Sequence, residues 1–197
     1  MVTRILVGVS ALLAIQPYAL GQGDLLDRFQ SRYRSAQTIR CSFATSAGLA
    51  GRIVAKRGGS YMVTLPDRTL VSDGRTVWSA SPSAKTVIIN SYKSQSNDLS
   101  LEKVFFDIMN IYQGQVIQRN GAGGIIRLTP PDARAVIAGV TRADITLNAS
   151  TLVTGLLLTE NGSTASYTIT SLTINPKIKA STFTYSPPKG WEVIDLR

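Results

Sequence analysis

The sequence predicts a mainly β fold with some helix, in which one strongly curved antiparallel sheet wraps over helical segments. Three observations predict it. β-rich runs are divided by tight-turn dipeptides, and connections that short leave no room for parallel crossovers. An amphipathic helical stretch precedes those runs. A second helical stretch, apolar on most of its sides, interrupts them in mid-chain and must be covered from more than one direction.

Residues 1–21 read as a secretory signal peptide. Arg4 gives a positive start, Ile5 to Ile15 is a short apolar run, and Ala19-Leu20-Gly21 fits small-x-small cleavage. The run is too short for an ordinary membrane span, and an uncleaved anchor is the competing reading. Gln22 stands where a lipid-anchored chain would need Cys, so export as a soluble, unlipidated chain is expected. Residues 22–197 then form a single domain, with no repeat, low-complexity tract or linker dividing them.

Residues 24–36 are the first helix. Leu25, Leu26, Phe29, Tyr33 and Ala36 recur at helical spacing, opposite Asp27, Arg28, Gln30, Arg32 and Arg34. Asp24 suits the positive end of the helix dipole. Strands are expected at 40–46, 49–57, 60–66, 69–73, 75–80 and 85–90, separated by Gly58-Gly59, Pro66-Asp67, Asp73-Gly74 and Pro82-Ser83. The second helix spans 99–113. Leu101, Phe105, Ile108, Met109 and Tyr112 share a face that Val104, Phe106 and Ile111 widen. It serves either as an ordinary core helix or as a lid that makes one sheet face a ligand cavity. Further strands are expected at 115–120, 124–129, 135–147, 152–160, 163–174 and 181–186. Asn120-Gly121 and Asn161-Gly162 are turns, and Pro130-Pro131 opens a break able to hold a short third helix. Ala165, Tyr167 and Ile169 alternate with Thr164, Ser166 and Thr168, and Phe183 and Tyr185 repeat the pattern.

The chain carries a formal charge of +9, which favours an anionic partner or membrane surface. Its basic residues are scattered, and nucleic acid is not expected for an exported protein. It contains no histidine, which removes Ser-His-Asp and Cys-His catalysis and His-ligated metal sites; no metal or cofactor is expected. Cys41, the single cysteine, reads as a small buried strand residue. Ser100-Leu101-Glu102-Lys103 fits S-x-x-K, but Ser72-Asp73-Gly74 and Lys85-Thr86-Val87 are only near misses to its supporting motifs, in the wrong order. A helix cap explains Ser100 adequately. An enzyme is not expected.

Three segments carry a family resemblance. They are Gly51-Arg52-Ile53-Val54-Ala55-Lys56-Arg57, Leu70-Val71-Ser72-Asp73-Gly74-Arg75-Thr76-Val77-Trp78 and Phe183-Thr184-Tyr185-Ser186-Pro187-Pro188-Lys189-Gly190. In this order, behind a signal peptide, they resemble the LolA family of periplasmic lipoprotein carriers. The chain departs from the family at Gly58, where proline is usual, and at Tyr61 and Val63, where an aromatic pair is usual.

The resemblance implies an unclosed β-barrel covered by lid helices. It implies acylated lipoproteins as cargo, an inner-membrane ABC lipoprotein exporter (LolCDE-like) as donor and an outer-membrane acceptor (LolB-like). A monomer in the periplasm is expected. Strand alternation puts Arg57 on the same face as Ile53 and Ala55, and the resemblance makes Arg57 the latch that holds the lid by hydrogen bonds; the competing reading is a strand-end arginine that points into water. Ile53, Tyr61, Trp78, Phe105, Ile108, Met109, Tyr112, Tyr167 and Phe183 are the candidate cavity residues, for each of which a plain core role competes. A carrier or sensor of another amphiphile, a glycolipid or lipopolysaccharide, stays open as the alternative.

Overall fold

The computed structural model describes residues 22–93 and 100–197. The expected signal peptide, 1–21, and the first residue of the expected second helix lie outside the described residues.

Helix α1 (Gln22–Arg34) packs Leu25, Phe29 and Tyr33 fully inside, with Arg32 and Arg34 exposed at its last turn. A meander follows: β1 (Thr38–Thr45), β2 (Ala50–Lys56), β3 (Ser60–Thr64), β4 (Thr69–Asp73), β5 (Thr76–Ser81) and β6 (Thr86–Ser91). The expected second helix is a composite of α2 (Leu101–Lys103), a π-helical turn at Val104–Ile108 and α3 (Met109–Ile111). Ser100 caps its start, its hydroxyl accepting from the Lys103 N–H at 3.3 Å. Strands β7 (Gln113–Asn120), β8 (Gly123–Thr129), β9 (Val140–Leu147), β10 (Val153–Glu160) and β11 (Ser163–Ile174) complete the meander, and β12 (Glu192–Asp195) closes the chain. The short helix expected after Pro130-Pro131 is a 3-10 turn at Ala133–Ala135.

Among the described residues, all twelve strands form one sheet, in the order β12-β6-β5-β4-β3-β2-β1-β11-β10-β9-β8-β7. Its ends, β12 and β7, are not paired with each other, so the barrel stays unclosed. Period-two alternation then divides the side chains between two faces. On the concave face, Ile39, Cys41, Phe43, Ile53, Ala55, Ile126, Ile145 and Leu156 join α1 and the 101–111 segment in one core. Cys41 is fully buried, and burial pushes its thiol up to about 12, leaving it inert.

The expected strand at 181–186 is not one. A 3-10 turn occupies Ala180–Phe183, and the last strand is β12, which runs parallel to β6. The alternation that suggested a strand is nevertheless real in burial, for Phe183 is buried, Thr184 exposed and Tyr185 half-buried. An extended arm laid over a sheet face alternates its side chains as a paired strand does. Strand β9 likewise starts later than residue 135, after a turn in which the Val140 N–H donates to the Ile137 carbonyl at 2.9 Å.

Candidate functional site

Arg57 lies one residue beyond the end of β2. Its N–H still continues the β1–β2 ladder, donating to the Gln37 carbonyl at 2.9 Å. That bond preserves the parity of Ile53 and Ala55 and turns the guanidinium inward. Nε and Nη2 donate to the Ala36 carbonyl, just past the end of α1, at 3.2 and 3.1 Å. Nη1 donates to the Phe106 carbonyl at 3.1 Å, and the guanidinium lies 5.1 Å from the centre of the Phe106 ring. One side chain thus ties α1 and the mid-chain helical segment to the end of a strand.

The π turn makes the second attachment possible. A π-helical stretch widens the helix and redirects its carbonyls. The Phe106 oxygen accepts from Arg57 and also from Asn110 Nδ2 at 2.9 Å, which fills both lone pairs. The charge of Arg57 is satisfied by fixed carbonyl dipoles, as an inward-facing cation requires.

The helical segment fills the concavity. Phe105 and Ile108 are completely buried and Met109 nearly so. Phe105 stacks on Tyr33 at 6.2 Å, and Tyr33 meets Phe29 at a tilt, 5.0 Å between ring centres. Tyr112, just past the segment, anchors rather than covers. Its hydroxyl donates to the Val140 carbonyl and accepts from the Ile137 N–H at 2.9 Å. Burial raises its pKa, and the Ile137 N–H partly offsets this.

Of the candidate cavity residues, Ile53, Tyr61, Phe105, Ile108, Met109, Tyr112 and Tyr167 belong to the concave core or pack against it. Tyr167 meets Phe43 edge-on at 6.2 Å. Two candidates are corrected. Trp78 lies on the outer face with Ala80, Val87 and Ile89, under Tyr185 and Trp191 of the C-terminal arm. Phe183 lies on the same outer side, beside Thr38, Lys56 and Asp73. The reason is register. Tyr61 pairs with Ser72 and Ser72 with Val77, so Val77 shares the inner face with Tyr61 while Trp78 points out.

An opening of about 490 Å³ on the concave face is bounded, among the described residues, by Tyr61, Val63, Leu70, Val77, Tyr92 and Lys103. Charged groups gather beside it. Glu102 is 3 % exposed and Lys103 4 %. Burial, reinforced by neighbouring Asp107, pushes the Glu102 carboxyl up to about 7. Burial also raises Asp107, against the pull of Arg57 and Lys103. Tyr92 is pushed up to about 12 by burial and by the nearby Glu102, Asp107 and Tyr61. Sequence reasoning missed this cluster, as well as the roles of Phe106 and Asn110. Only the fold brings Gly59, Tyr92 and Glu102 together, and no periodicity announces a π turn.

A half-open barrel whose apolar hollow is filled by its own helical segment, tied down from a strand end, defines the class of the protein. The particular family follows from sequence comparison. Residues 48–186 match the family described as outer membrane lipoprotein carrier protein LolA, and the chain belongs to that family. A curated relative is the outer-membrane lipoprotein carrier protein of Proteus mirabilis (strain HI4320), 24% identical over 187 residues, which are 88% of this chain and 90% of that protein. Among solved structures, an uncharacterized conserved protein from Thermus thermophilus superposes with a TM-score of 0.53 at 12% identity, covering 87% of this chain and 97% of that one. A candidate outer membrane lipoprotein-sorting protein domain from Vibrio parahaemolyticus gives 0.42 at 10% identity, covering 83% and 97%.

Proposed function

We propose that the protein is a periplasmic carrier that shelters the acyl chains of lipoproteins in its concave hollow. It takes them from an inner-membrane ABC exporter (LolCDE-like) and yields them to an outer-membrane acceptor (LolB-like). Family membership and the description of the Proteus relative support the cargo class. The observation that carries the mechanism is the double attachment of Arg57 to the Ala36 and Phe106 carbonyls across an apolar interface.

The energetics favour exchange over simple filling. Each methylene kept from water is worth about 0.8 kcal/mol, so free acyl chains are strongly driven into an apolar site. With 101–111 seated, the hollow is already filled by Phe105, Ile108 and Met109. Incoming chains therefore displace the segment and take its place in the core that Ile53 belongs to and Tyr61 and Tyr167 pack against. Hiding the hollow when empty prevents an exposed patch from sticking to membranes. Met109, flexible and polarizable, suits a wall that must repack against chains of differing shape.

Release reverses the exchange. When cargo leaves, Arg57 regains its carbonyls, and charge-assisted hydrogen bonds of this kind contribute roughly 1.5–3 kcal/mol. Transfer involves no covalent chemistry, and direction comes from successively tighter binding. The test is to mix the mature protein with a detergent-solubilised triacylated lipoprotein, remove the detergent and run gel filtration. Co-elution of a one-to-one complex, emptied on adding an acceptor, is expected. A lipoprotein that aggregates separately from the protein would contradict the proposal.

A further inference from the structure

We propose that Glu102 is a second, proton-dependent hold on the 101–111 segment, keeping it seated while the carboxyl is neutral and loosening it when the carboxyl is charged. This rests on reading 101–111 as the lid of a cargo hollow.

Glu102 lies in the first turn of α2, almost wholly out of solvent, and its Oε2 has no hydrogen-bond partner among the described residues. A charged carboxylate with an unfilled buried oxygen is costly. Asp107, on the same segment, adds a like charge. The neutral acid avoids both penalties. Facing groups pull the other way: the Gly59 backbone N–H is directed at the carboxyl, and Lys103 and Arg57 stand near enough to favour its charge. From the sheet side the phenol of Tyr92 lies beside both acids, with Tyr61 next to it.

Backbone geometry fixes Gly59 in this place. Gly58 and Gly59 both take positive φ, 98° and 85°. A Cβ on Gly59 would come within 2.5 Å of the Tyr92 ring. The stretch from Arg57 to Gly59 approaches the lid twice, through the arginine at Phe106 and through the glycine backbone at Glu102.

The sign follows from linkage. With the lid seated, the carboxyl titrates at about 7 rather than near 4.5; freed into water it returns to the ordinary value. Below that ordinary value both states hold the proton and the seated lid has its full advantage. As pH rises through the window up to about 7 the advantage is lost, so rising pH loosens the lid.

The test is hydrogen exchange at the 101–111 amides of the mature protein, corrected for the chemical exchange rate, with uptake of an apolar fluorescent probe followed alongside. From about pH 5.5 to about pH 8 the open fraction should rise on the order of tenfold. Glu102→Gln should flatten that rise. Asp107→Asn, which keeps Glu102 but removes its like-charged neighbour, should move the midpoint to lower pH. A Glu102→Gln variant with the wild-type profile would overturn the proposal. Should that variant not fold, an unmoved midpoint in Asp107→Asn overturns it instead. If exchange follows pH as described but neither probe nor lipoprotein is bound, the proton-dependent hold stands and the carrier reading falls.

Discussion

Arg57 reaches one carbonyl just past the end of α1 and another in the mid-chain helical segment, and this is why one substitution there should separate loading from release. Arg57→Leu keeps an apolar stem against Phe106 but leaves the Ala36 and Phe106 oxygens without the guanidinium. The seated lid should lose roughly 1.5–3 kcal/mol. Cargo should still load, because the hollow itself is unchanged, while transfer to an acceptor should fail. A transfer assay between carrier and acceptor reads this directly, and normal transfer by the variant would remove the latch role. The inward parity of Arg57 was legible from Ile53 and Ala55, four and two residues earlier. Its partners were not. A carbonyl acceptor has no side-chain signature, and the carbonyls of Ala36 and Phe106 meet at Arg57 only once the sheet has curved.

At the scale of elements, the 101–111 segment is both core and cover. Truncating Phe105 to alanine removes the ring that stacks on Tyr33. A loss of about 3–5 kcal/mol in stability is expected from urea denaturation, as for other fully buried phenylalanines. Tyr112→Phe should cost about 1–3 kcal/mol, since the Ile137 N–H loses its acceptor. Urea denaturation reads this loss too, since the hydroxyl ties the end of the segment to the Ile137–Val140 turn at the edge of the inner core. The helical pattern at 99–113 was readable from its apolar faces, but the π turn was not. It coincides with the burial of Phe105 and Phe106 and with bonds to the Phe106 carbonyl from Asn110 and Arg57, contacts that exist only in the fold. The C-terminal arm shows the converse. Phe183 and Tyr185 alternate as strand residues do, but the alternation records contact with a sheet face rather than a ladder.

At the scale of the whole molecule, the sheet separates two apolar populations with different duties. The inner one, between sheet and helices, is the hollow proposed for cargo; the outer one, around Trp78, fastens the C-terminal arm over β5 and β6. Trp78→Ala should therefore destabilise the fold by about 3–5 kcal/mol or less, since the indole is only half-buried. Uptake of an apolar probe by the folded fraction should not change. Tyr61→Ala, on the inner face, should by contrast alter uptake of the probe by the folded fraction. The curved antiparallel sheet and the family were legible from turn dipeptides and three short segments. The division of aromatic residues between faces was not, because it depends on cross-strand register. The Ser72–Val77 pairing around the Asp73-Gly74 turn decides it, and that pairing puts Trp78 outside. The measurement that tests the central claim most directly is native mass spectrometry of the mature protein isolated from a periplasmic extract containing lipoproteins. A bound triacylated lipoprotein, displaced on adding an acceptor, is the expected result. A bare protein mass, with no uptake of an apolar probe, would mean that the hollow is permanently filled and would contradict the account.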